Sequence, residues 1–158
     1  MQKPLTERRI ENIALFYLAR FETSSGKLRQ VLLRRVQRQK MQGISVPSEV
    51  HVWIEKTLEK MEKQGYLDDE RYVESRVRRW LDQGKSHQMI RQKLLAENIS
   101  SDMFEKYLSD QDDLASAQKF VQKKHLGQDW KKDLAKLARA GFSYETAQAA
   151  LKKGETDV

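Results

Sequence analysis

Three acids stand in a row at Asp68, Asp69 and Glu70, and a second pair follows at Asp112 and Asp113. Converging carboxylates of this kind hold the ions of two-metal hydrolytic centres, so metal-dependent cleavage of a phosphodiester is the chemistry they could do. The three histidines, His51, His87 and His125, are too far apart in sequence for a paired zinc-ligand motif. The chain has no cysteine, which excludes disulfides and thiolate-bound zinc. It also lacks a Gly-rich phosphate loop, a nucleophile elbow and a Cys/His pair. Both acid pairs stand just before runs of helical periodicity, where carboxylates are favoured by free N–H groups and by the helix dipole. They read as helix starts, so no catalytic residue, metal or cofactor is expected.

The elements that would position these acids are helices. With 2 prolines and 7 glycines in 158 residues, apolar side chains recur at three- and four-residue steps almost throughout. Ile10, Ile13, Ala14, Tyr17, Leu18 and Phe21 form one stripe. Leu28, Val31, Leu32 and Val36 form a second, and Val50, Trp53, Ile54, Leu58 and Met61 a third. The pattern resumes with Val73, Val77, Trp80 and Leu81, then Ile90 and Leu94, then Met103, Phe104, Tyr107 and Leu108. Leu114, Ala117 and Val121, then Trp130, Leu134 and Leu137, then Tyr144, Ala147 and Leu151 complete nine helices. Trp53, Trp80 and Trp130 all lie on these stripes and are expected in the packing between helices.

The nine helices fall into three groups of three. Leu28-Arg29-Gln30-Val31-Leu32-Leu33 matches Ile90-Arg91-Gln92-Lys93-Leu94-Leu95. A small tripeptide follows the second helix of each group: Gly43-Ile44-Ser45, Asn98-Ile99-Ser100 and Gly141-Phe142-Ser143. Gly or Asn tolerates the left-handed conformation that ends a helix, the apolar residue packs back, and Ser can cap the next helix. The expected fold is all-α, with three tandem three-helix repeats over residues 1–67, 68–110 and 111–158 in an elongated, curved arrangement. At the first joint, Gly65 ends a helix, Tyr66 and Leu67 anchor the corner, and Asp68 and Asp69 start the next helix with Glu70 in its first turn.

The net charge of +7 is uneven. Residues 1–45 hold 10 Lys/Arg against 3 Asp/Glu, whereas residues 46–110 hold 11 against 13. Arg29, Arg34, Arg35, Arg38 and Lys40 lie off the apolar stripe of one helix. Arg76, Arg78, Arg79 and Lys85, with Arg91 and Lys93, form a second basic cluster. Arginine's planar fork suits carboxylates on a protein and phosphates on a nucleic acid, so these residues are the candidate partner-binding surface. No apolar run is long enough to span a bilayer, and Met1 to Asn12 lacks the apolar core of a secretory signal. A soluble, cytoplasmic protein without a membrane partner is expected.

The run GYLDDERYVESRVRRW from Gly65 to Trp80, then Gly84-Lys85-Ser86, Ile90 to Leu95 and Asn98-Ile99-Ser100, resembles the RecX family of regulatory proteins that modulate the RecA recombinase. The likeness extends more faintly to Ala19-Arg20 and Leu28-Arg29 at one end and Gly141-Phe142-Ser143 at the other. Tyr72, Asn98 and Ser86-His87 stand where the family usually has Phe, Gly and Gly-Pro. The resemblance implies stacked three-helix repeats and a non-enzymatic role. It implies a monomer that binds the RecA–DNA filament and lowers ATPase, strand-exchange and repressor-cleavage activities in recombination, DNA repair and the SOS response. Single- or double-stranded DNA is a further expected partner, bound nonspecifically and weakened by salt. The competing reading is a sequence-specific regulator of helix-turn-helix type, because a short corner precedes helices such as Ser86 to Glu97. Ser86-His87-Gln88-Met89 offers only Gln88 as a base-reading side chain.

Overall fold

The structure is a computed structural model that describes residues 3–109 and 112–156, with side chains as far as Lys152. Among these residues every regular element is a helix: α1 (Glu7–Arg20), α2 (Ser25–Met41), α3 (Val50–Lys63), α4 (Asp69–Asp82), α5 (His87–Ala96), α6 (Ser101–Leu108), α7 (Asp113–Lys123), α8 (Trp130–Arg139) and α9 (Tyr144–Thr156). They gather in two compact units, Met1–Tyr72 and Val73–Val158, divided within α4. Of the boundaries expected from the sequence, the one after Leu67 falls in the turn between α3 and α4. The one at residues 110 and 111 lies outside the described residues.

In the first unit α1, α2 and α3 pack against one another. Their stripes meet at Ile10, Ala14, Leu28, Leu32, Val36, Ile54, Leu58 and Met61, all buried, and each large apolar side chain so placed contributes about 1.5–3 kcal/mol. Gln39, one turn beyond Val36, is fully buried as well. Its carbonyl oxygen accepts the Leu5 N–H at 3.2 Å and its amide donates to the Lys3 carbonyl at 2.8 Å. This pairing lets a polar side chain enter the core without an orphaned group and threads Leu5 into the same cluster.

In the second unit α5 packs on α6, while α7 and α8 both pack on α9. The α7–α9 cluster closes around Ala117, Val121, Leu137, Phe142, Ala147 and Leu151, with Phe120 edge-on to Phe142 at 5.9 Å between centroids.

The same corner ends α2, α5 and α8. The Gly43 and Ile44 N–H groups return to the carbonyls of Lys40 and Gln39, Asn98 and Ile99 to Leu95 and Leu94, and Gly141 and Phe142 to Ala138 and Leu137. Gly43, Asn98 and Gly141 have φ of 76°, 61° and 97°, the left-handed turn that these two bonds require. The capping role expected of the serine holds for Ser143, which accepts the Thr146 N–H at 3.2 Å. Ser100 sits at the N-cap of α6 without a capping bond. Ser45 caps nothing, because α3 begins at Val50 after Pro47.

Three aromatics placed on apolar stripes, Trp130, Tyr144 and Phe21, and the expected corner anchor Tyr66 face solvent instead. Trp130 and Tyr144 are the first residues of α8 and α9 and are 37% and 63% exposed. Helical Cα–Cβ bonds tilt toward the N-terminus, so a side chain at the first position points past the helix end. Phe21 follows α1 with extended backbone, which turns its ring off the core side and onto Tyr17 at 4.8 Å. Tyr66 is 56% exposed because the corner turns Leu67 inward in its place.

Candidate partner-binding surfaces

The acids are helix caps, and two of them do more than the sequence suggested. Asp68 accepts the Arg71 N–H at 3.1 Å and Asp112 the Leu114 N–H at 2.9 Å, each closing the start of its own helix. Asp69 instead reaches the start of α2, where it accepts the Ser25 N–H at 2.7 Å and the Ser25 hydroxyl. Asp113 does the same for α5, accepting the His87 N–H at 3.0 Å. These carboxylates are committed to backbone donors on separate helix starts. Gly65 ends α3 as expected, with φ 80° and the Tyr66 N–H bonded back to Met61 at 2.9 Å.

Among the candidate cations, Arg29 on α2 and Arg91 on α5 make matching ion pairs. Arg29 grips Glu55 through two nitrogens at 2.7 and 3.0 Å, and Arg91 grips Glu105 at 2.6 and 3.2 Å. The hydrogen bond from each arginine holds its glutamate below the ordinary carboxylate range. The same bonds raise both arginines further, with Asp69 and Asp113 adding to the effect. These two arginines tie α2 to α3 and α5 to α6. Lys93 lies over the Trp80 ring at 5.5 Å, and Arg78 pairs with Glu74 one turn back at 3.2 Å. Arg76 is half-buried and engaged within the fold. The second basic cluster is thus largely divided among internal partners, with Arg79 exposed and Lys85 half-buried.

The α2 cluster is different. Arg34, Arg38 and Lys40 are exposed and Arg35 half-buried, and among the described residues no carboxylate pairs with any of the four. The Arg35 Nε is buried without a hydrogen-bond partner. Arg34 and Arg38 are one turn apart on the same face, and such a like-charge pair destabilises a helix by about 0.2–0.5 kcal/mol. Leu33 and Met41 expose apolar side chains beside them, Met41 at 80%. A cationic stripe without internal partners among the described residues is electrostatically complementary to an acidic surface, and Leu33 and Met41 are complementary to apolar groups.

Two other features escaped the sequence reading. Phe16, Arg20 and Phe21 form an exposed aromatic and cationic patch at the end of α1, with the Arg20 guanidinium 4.9 Å from the Phe16 centroid. Phe21 keeps the spacing of the α1 core stripe while Phe16 and Arg20 lie off it, so the pattern alone did not join the three. Lys123, Lys124, Lys136 and Arg139 gather beside Phe120 in the second unit. Nearby acids in sequence keep the regional charge low and hide that cluster.

No protein-family model matches the chain. Regulatory protein RecX of Myxococcus xanthus is 33% identical over 157 residues, covering 90% of this chain and 83% of the relative. Regulatory protein RecX of Streptococcus mutans is 29% identical over 150 residues, covering 89% of this chain and 54% of that protein. Among solved structures, RecX from Lactobacillus salivarius superposes with a TM-score of 0.67 at 18% identity, over 93% of this chain and 95% of that one. A second crystal structure of regulatory protein RecX gives 0.64 at 20% identity, over 93% and 71%. At those identities the two structures speak for the fold, and the Myxococcus relative speaks for the family.

Proposed function

This chain belongs to the RecX family of regulatory proteins, and from that premise we propose that it binds the RecA–DNA filament and lowers the activities the filament supports. The observation that carries this reading is the α2 stripe of Arg34, Arg35, Arg38 and Lys40, four cations that pair with no carboxylate among the described residues. Docking sets them against acidic filament surface or DNA phosphates, while Leu33 and Met41 supply apolar contact. The chain acts without chemistry of its own: its paired aspartates serve helix starts, and its regulatory effect is that of a bound monomer limiting filament growth.

Three tandem units, over residues 1–67, 68–110 and 111–158, are part of the same reading. The thrice-repeated corner supports them, and so do the matched pairs Arg29–Glu55 and Arg91–Glu105. Stacked repeats offer the broad surface that neighbouring filament subunits need. Sequence-specific duplex reading is less well supported, because α5 starts with a buried His87 and a half-buried Met89, which leaves Gln88 as its exposed reader. DNA contact in this proposal is nonspecific and falls with salt.

The test is DNA-dependent ATP hydrolysis by RecA with this protein added at substoichiometric ratios. Inhibition well below one protein per RecA is expected, and hydrolysis unchanged at every ratio sinks the proposal.

A further inference from the structure

The second unit holds a groove that this function does not require. Two adjoining hollows of about 500 and 450 Å³ share Phe120, Lys124 and Ala140. Their floor is Phe120, Met89 and Ala140, and their rim carries five cations, Lys85, Lys123, Lys124, Lys136 and Arg139. Among the described residues no carboxylate lines either hollow.

A structural reason for cations here exists, and its size can be judged. The residues that follow α4, α7 and α8 all line the groove, and each helix C-terminus carries roughly half a negative charge. Three such ends offset roughly 1.5 positive charges, while the rim has five. The carbonyls are also partly satisfied: Lys123 Nζ donates to Gln83 at 3.1 Å, and Ser86 Oγ donates to Ala140 at 2.7 Å. A substantial positive surplus remains over an apolar floor.

We propose that this groove binds an acidic segment of a partner protein, seating one apolar side chain on Phe120, Met89 and Ala140 while flanking carboxylates meet the lysine rim. A single-stranded nucleic acid fits less well. A base placed on this floor brings donor as well as acceptor edge atoms; the cationic rim can serve only the acceptors, and the donors find little beyond Gln83, because Ser86 is already bonded. Burying those atoms unpaired is costly. Phe120 is half-buried and edge-on to Phe142, so it presents no open stacking platform. This inference rests on the groove alone and stands or falls apart from filament binding.

The test is a fluorescence-anisotropy titration of the full chain with a labelled oligoglutamate peptide carrying one central phenylalanine. Replacing that phenylalanine by alanine is expected to weaken binding about tenfold or more. The double reversal Lys124→Glu and Lys136→Glu is expected to weaken it about tenfold, while Lys131→Glu with Lys132→Glu leaves it near the starting value. Melting curves of both variants confirm that they are folded. The proposal is overturned if the alanine peptide binds equally well, if both reversals weaken binding alike, or if oligothymidine binds more tightly and is the ligand lost on the first reversal.

Discussion

The carboxylate of Asp69, the first residue of α4, accepts the backbone N–H of Ser25, the first residue of α2, at 2.7 Å. Asp113, the first residue of α7, makes the same bond to His87, the first residue of α5, at 3.0 Å. In each case an acid that opens one helix closes the exposed start of another. The adjacent Asp68 and Asp112 serve their own helices. The Asp-Asp pair is therefore a two-way clamp: one carboxylate fixes where the new helix begins, and the other fixes where it sits.

Removing the second acid of a pair should cost more than an ordinary cap. Asp69→Ala frees both the Ser25 N–H and its hydroxyl and also withdraws the carboxylate that supports Arg29. A loss of about 2 kcal/mol is expected, against about 1 kcal/mol for Asp68→Ala. Urea unfolding of the two variants measures both, and equal midpoints would falsify the clamp. Filament inhibition by the folded fraction is expected to survive in each.

Acid should weaken the two Arg–Glu ties. Glu55 and Glu105 have their carboxyls lowered by hydrogen bonds from Arg29 and Arg91. Stability from a lowered acid is fully present above its unfolded value, near 4.5, and is lost as pH falls through the folded value. Both pairs are well exposed to water, so each contributes no more than about 1 kcal/mol. Glu55→Gln with Glu105→Gln is expected to flatten the fall in stability below the usual glutamate range while changing neutral-pH stability only modestly. Urea midpoints across that range decide it, and an unaltered acid profile counts against the ties.

The glycine of the third corner should tolerate less than that of the first. A Cβ on Gly43 meets nothing within 4 Å, so Gly43→Ala suffers only the left-handed backbone, about 1–2 kcal/mol. At Gly141 the same Cβ falls 2.5 Å from Ser86 Oγ. That oxygen is held between the Met89 N–H and the Ala140 carbonyl and cannot move without losing a bond. Gly141→Ala should therefore lose about 1 kcal/mol more than Gly43→Ala. Thermal unfolding of both compares them directly, and matched losses would show that Ser86 yields freely.

Much of this fold is legible in local patterns because its rules are local. Three- and four-residue stripes place the helices, and Gly or Asn before an apolar residue marks the corners that recur at Gly43, Asn98 and Gly141. What the sequence conceals is pairing over distance. Nothing near Arg29 reveals Glu55, and nothing near Asp69 points to Ser25. Candidate contacts with a partner at Arg29, Arg91 and Lys93 are consequently already engaged within the chain. End effects mislead in the same way: Trp130 and Tyr144 keep the helical period yet stand at first positions, where the side chain overhangs the helix.

The basic stripe of α2 gives the last prediction. Among the described residues Arg34, Arg35 and Arg38 have no ion pair to lose, and Arg34 and Arg38 repel each other along one face. Reversing all three to glutamate should leave the urea midpoint near its starting value, because the i, i+4 pair stays like-charged and no ion pair among the described residues is broken. Arg29→Gln, by contrast, breaks the tie to Glu55 and lowers that midpoint. On the filament the order inverts: the triple reversal places acids against a surface that attracts cations and should weaken RecA inhibition by about tenfold or more. Reversal of Lys131 and Lys132, exposed at the start of α8, should have little effect. Raising salt should erode inhibition by the unaltered chain and spare what remains in the triple variant, because the charges that respond to screening are gone. Equal losses from both reversals would mean that net charge alone drives docking, and the α2 stripe would then hold no special place in it.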